Sequence, residues 1–306
     1  MLILKNLNEL KIAAYSLKCT VQEVYNLLQT MEGQGNFNSN TSSSKKLRIK
    51  LNKLEKLLEK YRNGFPLDYI LREVNLLSLN LKLRVNKNVL IPRPETIEWL
   101  EAIDRNWQYE AKDNRQLTQN SNEPRPIGEL AIYNQDVGTV IDLGCGCGLI
   151  GLFIAKFFST VVATDVSKLA IKIAIHNAEQ NKISNIQFYQ SSLLANQNLT
   201  EKLIQKPYVL IANLPYVPTI DQKFVNANMV QYEPKKAIFS GKDGLNLFNN
   251  LLAEIKFNLK LKPLEIILEL DPRNILQAQK SLQEIYPNTA VFTDSLNNLR
   301  VLQAWE

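Results

Sequence analysis

The 306-residue chain contains one histidine and three cysteines, and each scarcity closes off a kind of chemistry. Cys19, Cys145 and Cys147 are an odd set with no export signal before them, so a disulfide framework is not expected. His176 and one close cysteine pair cannot complete a tetrahedral zinc set, so no metal is expected either. No apolar run approaches the roughly 20 residues a bilayer span requires. The opening segment MLILKNLNELKIAAYSL is interrupted by Lys5, Glu9 and Lys11, which denies it a signal-peptide core. The expectation is a cytoplasmic protein with no membrane association. Nor is there a strong excess of one charge: 36 basic and 30 acidic residues leave +6, which suits an encounter with RNA, a ribosome or an acidic protein without requiring one.

What is present falls into distinct textures. Thr20 and Glu23 have capping-box spacing, and Leu47, Leu51, Leu54, Leu58 and Tyr61 recur at three- and four-residue steps with lysines between them. Residues 1–73 therefore read as a small helical domain, interrupted at 33–46 by a polar stretch that reads as a flexible loop. Residues 74–94 read as a β-hairpin linker, because 79–85 alternates apolar and polar and NKN supplies a turn. A helix is expected from near Thr96, and 106–135, rich in Asn, Gln and charge, reads as an exposed insertion. Beyond 138, apolar runs such as TVIDLG, TVVATD, YVLIAN and LEIILEL alternate with helical stretches at 149–158, 167–181, 243–261 and 272–286. That alternation predicts an α/β domain over 95–306, with a parallel or mixed sheet covered on both faces. Ligands of such sheets bind outside the carboxyl ends of the strands.

The segment DLGCGCG lies between a strand and a helix. Gly144, Gly146 and Gly148 permit a tight turn and close backbone approach to a ligand, while Cys145 and Cys147 are small residues within the loop. The spacing is G-x-G-x-G rather than the G-x-G-x-x-G of dinucleotide folds. Asp142 at the loop's start would oppose a pyrophosphate but favour a cation such as S-adenosylmethionine. Asp165, ending the next strand, can accept hydrogen bonds from a ribose diol. With these residues the chain resembles the class I methyltransferases, a Rossmann-like fold. The resemblance implies an adenine site in FYQSSLLAN, with Ser192 where family members often carry an acid and Leu193 offering the base an apolar face.

The tetrad Asn213, Leu214, Pro215 and Tyr216 follows another apolar run. A planar NH₂ group is a poor nucleophile because its lone pair is delocalised, and two acceptors for its hydrogens would aim that pair and stabilise developing positive charge. The Asn213 side-chain oxygen and the Leu214 carbonyl are candidates. Pro215 restricts Leu214 to extended conformations, and Tyr216 offers a stacking face. By itself the tetrad does not choose between adenine and a side-chain amide. NLPY resembles the ribosomal-RNA adenine dimethyltransferases, and an N6-adenine enzyme acting on RNA or DNA is the alternative reading. VLIPRPETIEW (89–99), YEPKKAIFSGKDGL (232–245), PLDYIL (66–71) and LEIILEL, in that order, resemble the release-factor glutamine methyltransferases over nearly the whole chain.

That resemblance implies N5-methylation of the Gln in the Gly-Gly-Gln motif of peptide chain release factors, with S-adenosylmethionine as cofactor. The helical domain would help to hold the factor. A monomer is expected, and no direct nucleic-acid binding is required. Three departures stand out: Leu214 replaces a proline, Ser192 replaces an acid, and 106–135 is longer than usual. Leu214 retains the carbonyl but predicts a looser site. His176 reads as structural, Arg93 and Glu95 as either site wall or hairpin anchor, and Lys235, Lys236 and Lys242 as a solvated face or a partner contact.

Overall fold

The computed structural model describes residues 59–61, 63–110, 123–132, 137–196 and 206–306. The helices expected before residue 59 and the loop 33–46 lie outside the described residues. The chain divides into two compact units between Glu73 and Val74. In the first, helix α1 (Leu67–Leu71) stops at Arg72, which takes a left-handed φ of 62°.

The second unit begins in a two-stranded sheet of β1 (Glu73–Leu76) and β2 (Leu81–Arg84). The alternation is realised there: Leu81, Leu83 and Val85 are buried, whereas Lys82 and Arg84 are exposed, but the strands are joined by a turn at 77–80 and the expected turn NKN (86–88) lies beyond β2. Helix α2 (Pro94–Glu110) then starts on a proline whose fixed φ suits a first helical position, two residues before the expected start. Its inner face, Trp99, Leu100, Ala102 and Ile103, is fully buried.

Among the described residues the main sheet has eight strands: β3 (Arg125–Pro126), β4 (Thr139–Leu143), β5 (Thr160–Asp165), β6 (Ile186–Gln190), β7 (Val209–Ala212), β8 (Glu265–Glu269), β9 (Asn288–Thr293) and β10 (Leu299–Trp305). Their spatial order is β3-β9-β10-β8-β7-β4-β5-β6. Neighbours from β6 through β8 run parallel, and β10 is antiparallel to both β8 and β9. Every residue of β7 and β8 is buried, as central strands covered on both faces require. The covering helices are α3 (Leu149–Ile154), α4 (Lys168–Gln180), α6 (Asn246–Phe257) and α7 (Ile275–Gln283), with a short α5 (Ala227–Tyr232) between β7 and α6.

Three helices are shorter than their apolar periodicity suggested. α6 waits until Asn246 because Gly241 and Gly244 first turn the chain with φ of 71° and 89°. α7 follows a turn in which the Asp271 carboxylate accepts from the Arg273 backbone N–H, and α3 ends at Ile154 in a turn leading to β5. The segment 106–135 is not an exposed insertion throughout. α2 continues to Glu110, and β3 pairs in parallel with β9. Ile127, Leu130, Ala131 and Ile132 are buried, and the Asn106 side chain donates to the carbonyls of Gly128 and Leu130. Polar composition concealed a short return to the sheet.

From β4 the chain adds β5 and β6 on one side, then returns to place β7 and β8 on the other. The loops after β4 and β7 thus diverge at the sheet's carboxyl edge, and a crevice opens between them.

Candidate active site

That crevice is a cavity of about 630 Å³, bounded by the glycine loop, the ends of β5 and β6, Asn213, Leu214 and Pro215 of the tetrad, and parts of 87–96 and 234–250; Tyr216, expected as a stacking face, does not line it. Gly144, Gly146 and Gly148 take φ of 76°, 54° and 89°. At Gly146 a Cβ would meet nothing within 4 Å, so the loop presents bare backbone to the cavity. At Gly144 a Cβ would stand 2.8 Å from the Leu214 side chain. Glycine loop and tetrad are therefore interlocked by packing. Leu214 is only 8% exposed and belongs to the main apolar core, so burial restrains it where a proline ring is absent. The looser site expected from the sequence is not what the packing shows.

The two acidic residues take different positions. Asp165 lines the cavity; its carboxylate accepts from the backbone N–H of Gly146 (2.9 Å) and of Ser167 (2.7 Å). Each oxygen keeps a further lone pair for a ligand. Asp142 does not reach the cavity. It is 2% exposed, and one oxygen accepts from the Gly151 N–H at 2.8 Å, tying β4 to α3. Burial pushes its carboxyl up to about 7 despite that hydrogen bond, with Asp165 adding repulsion. Its other oxygen is buried without a hydrogen-bond partner among the described residues. Cys145 and Cys147 are buried loop residues, and burial raises both thiols, Cys147 to about 12, so neither is a thiolate at neutral pH. Ser192 is exposed at the cavity wall, and Leu193 is buried beside it with φ of 50°. The Ser191 hydroxyl, not that of Ser192, holds this turn, donating to the Leu193 carbonyl and accepting from the Asn196 N–H.

Around the tetrad the structure assembles a network that local spacing does not reveal. The Asn213 Nδ2 donates to Thr96 Oγ1 at 2.9 Å. Thr96 donates in turn to Glu269 Oε2 at 2.7 Å, and the Trp99 indole N–H donates to the same oxygen at 2.9 Å. The Tyr216 hydroxyl donates to the other Glu269 oxygen at 2.9 Å, and burial followed by this carboxylate pushes the phenol well above its ordinary range. Thr96 and Trp99 share one face of the first turns of α2, and Glu269 ends β8 at 1% exposure. A glutamate closing the apolar run Ile266–Leu268 was the available signal for Glu269.

The two flanking segments also meet. Arg93 pairs with Glu233 at 2.8 Å, and the second Glu233 oxygen accepts from the Ile91 N–H at 3.1 Å. Arg93 is thus an anchor as well as a cavity-lining residue. Residues 217–219 pair with 238–241 through backbone bonds. A Cβ on Gly244 would lie 2.1 Å from the Tyr216 carbonyl oxygen, so only glycine lets GKDGL back onto the tetrad. On the cofactor side, Asn177 of α4 is fully buried; it exchanges two hydrogen bonds with the backbone of Arg84 and donates a third to the Cys147 carbonyl. Asn181, one turn on, caps Lys82 in the same way. This asparagine pair closes the free edge of β2 and ties it to the glycine loop. His176 is half-buried on the same helix, away from the cavity.

Residues 130–232 match the family model described as "Methyltransferase small domain". The release factor glutamine methyltransferase of Dictyoglomus turgidum is 29% identical over 259 residues, 82% of this chain and 79% of that protein. Those of Coxiella burnetii and Flavobacterium psychrophilum are 33% and 31% identical, and the matches span 58% and 63% of their own lengths. Among solved structures, the hMettl16 catalytic domain in complex with an RNA hairpin of the MAT2A 3′UTR superposes with a TM-score of 0.52 at 16% identity, covering 74% of this chain and 76% of that one. At that identity the likeness concerns the fold alone. With a parallel sheet carrying one antiparallel strand and a glycine loop at the topological switch, the chain has the class I methyltransferase fold, and over much of its length it is similar to the release factor glutamine methyltransferases.

Proposed function

We propose that this chain transfers a methyl group from S-adenosylmethionine to the N5 amide nitrogen of the glutamine in the Gly-Gly-Gln motif of peptide chain release factors. One observation carries the reading. Asn213 lines the cavity with its NH₂ committed to Thr96, so its Oδ1 faces no protein donor among the described residues, and neither does the Leu214 carbonyl. Two vacant acceptors on consecutive residues suit the two hydrogens of a primary amide.

The donor set fits the cofactor. Bare backbone at Gly146, the Asp165 carboxylate and the apolar face of Leu193 suit a positively charged adenosyl group with a ribose diol. Asp142 acts at one remove, by holding the start of α3 and with it the loop. When bound, S-adenosylmethionine supplies an electrophilic methyl on sulfur: the sulfur–carbon bond breaks as the nitrogen–carbon bond forms, S-adenosylhomocysteine leaves, and the amide nitrogen releases one proton to water. The residues of this chain do the aiming. Asn213 and Leu214 accept the amide hydrogens and stabilise charge developing on nitrogen. Pro215 limits the conformations of Leu214, and the interlock with Gly144 holds that carbonyl against the cofactor loop. Recognition of the body of the factor is assigned to residues 1–73, and the active unit is a monomer that needs no nucleic acid.

Incubation with tritiated S-adenosylmethionine and a release factor should label the factor, and Gln→Ala in its Gly-Gly-Gln loop should abolish labelling. Label that survives that change, or that moves to nuclease-sensitive material, refutes the reading and points to adenine.

A further inference from the structure

Hydrogen-bond polarity is fixed through four residues that link a buried indole to the tetrad, and the donors converge on the Glu269 carboxylate. The Trp99 Nε1–H can only donate, so the Glu269 oxygen it meets at 2.9 Å must accept. Thr96 donates its hydroxyl hydrogen to the same oxygen at 2.7 Å. The Thr96 hydroxyl hydrogen is therefore spent on Glu269, and towards Asn213 only a lone pair remains. Asn213 must present Nδ2 to Thr96 at 2.9 Å, which turns Oδ1 away from that contact. A hydroxyl able to donate in the other direction would rotate the amide and set an NH₂ group against the substrate's NH₂ group.

We infer that Thr96 and Glu269 are positioning residues that fix which end of the Asn213 amide faces the substrate, selecting an acceptor there and so an NH₂-bearing substrate. This deepens the methyl-transfer reading above and rests on it. Thr96 and Glu269 touch no reacting atom in this account. Thr96 is 3% exposed and Glu269 is 1% exposed, so water does not compete for their bonds. The carboxylate's second oxygen takes the Tyr216 hydroxyl, and one acid thereby orients both ends of the tetrad.

The relay makes an ordered set of variants informative. Thr96→Val keeps the shape and removes the hydroxyl, and should lower kcat for factor methylation on the order of tenfold to a hundredfold, by analogy with the loss of one preorganised polar group. Thr96→Ser keeps the hydroxyl and should restore kcat to within about threefold of the unsubstituted enzyme. Glu269→Gln should fall between them. The Trp99 N–H fixes the Gln oxygen on the Thr96 side, so the Asn213 orientation survives and only the Tyr216 bond reverses. S-adenosylhomocysteine affinity by calorimetry should be unchanged within about twofold throughout, because none of these groups touches the glycine loop.

A readout independent of turnover is the side-chain amide of Asn213 in ¹⁵N NMR spectra, identified by its loss in Asn213→Asp. Its two proton shifts should be well separated in the unsubstituted protein and in Thr96→Ser, and should converge in Thr96→Val. The inference is overturned if Thr96→Ser is as impaired as Thr96→Val, or if Glu269→Gln is the worst of the three. It is equally overturned if the amide shifts do not respond to loss of the hydroxyl. Should Thr96→Val fail to fold, the Thr96→Ser and Glu269→Gln ranking and their amide shifts decide the matter alone. Absence of factor methylation by the unsubstituted enzyme would refute the proposed function, while the amide spectra would still test the relay.

Discussion

Gly244→Ala is the most direct perturbation of the contact between the tetrad and the segment after it. With φ at 89°, an alanine incurs the left-handed penalty of about 1–2 kcal/mol before any contact is counted. Its Cβ would lie 2.1 Å from the Tyr216 carbonyl oxygen and 3.1 Å from the Asn274 side-chain nitrogen. Relief requires roughly 1 Å of movement in backbone that is held on either side. Val217 N–H donates to Ile238 O at 3.0 Å and Thr219 N–H to Gly241 O at 2.8 Å, and each bond lost costs about 1 kcal/mol. With the cost of overpacking, the loss should be about 3–5 kcal/mol. Trp99, Trp107 and Trp305 all lie in the second unit, so urea unfolding followed by tryptophan fluorescence reports on it. Gly128→Ala is the internal control: a Cβ there meets nothing within 4 Å and φ is not positive, so its effect should stay within about 0.5 kcal/mol. Methylation should fall with Gly244→Ala in step with displacement of the tetrad, by about a hundredfold for a 1 Å error. A Gly244→Ala protein within about 1 kcal/mol of the unsubstituted chain, with full activity, would refute the account of the contact.

Other perturbations follow from the same geometry. Arg93→Ala leaves the Glu233 carboxylate, 3% exposed, with only the Ile91 N–H among the described residues, and should cost about 2–3 kcal/mol in thermal unfolding, less than a fully buried pair because Arg93 is 24% exposed. Asn177→Ala removes three hydrogen bonds at a fully buried position and should cost about 3 kcal/mol, with weaker S-adenosylhomocysteine binding by calorimetry as the Cys147 carbonyl loses its donor; Asn181→Ala, at a more exposed contact, should cost under about 1 kcal/mol. The Asp142 carboxyl titrates at about 7 folded against 3.8 unfolded, so the folded state holds the extra proton between those values and stability falls as pH rises from about 4 to 7, then levels off. Asp142→Asn should flatten that slope and raise stability at pH 8, as read by urea unfolding across the range; an unchanged slope would contradict the burial argument.

The part of the site legible in the sequence is the part made by neighbours along the chain. Gly144, Gly146 and Gly148 adopt the positive φ that their lack of Cβ allows, and Asp165 ends its strand at the cavity as expected. The alternation at 79–85 marked the buried face of β2, whereas the turn fell at 77–80 and not at NKN, and α2 begins at Pro94, ahead of the expected start near Thr96. Asp142 was placed by type and spacing alone, and its side chain turned to Gly151 instead of the cavity, a choice made by the packing of α3 on β4. The 106–135 segment misled because composition averages over residues, whereas Ile127 and Leu130–Ile132 are buried individually.

The sequence by itself determined the α/β class, the glycine loop at the head of the domain and the strand-to-loop position of the tetrad. Each depends on conformational limits set within a few adjacent residues. Only the tertiary structure decided what aims and holds them. Thr96 reaches Asn213 across 117 positions and Glu269 across 173, Arg93 reaches Glu233 across 140, and Asn177 reaches Arg84 across 93. Such partners are chosen by strand order and helix packing, and their hydrogen bonds acquire both strength and direction only after burial has removed water as the competing partner.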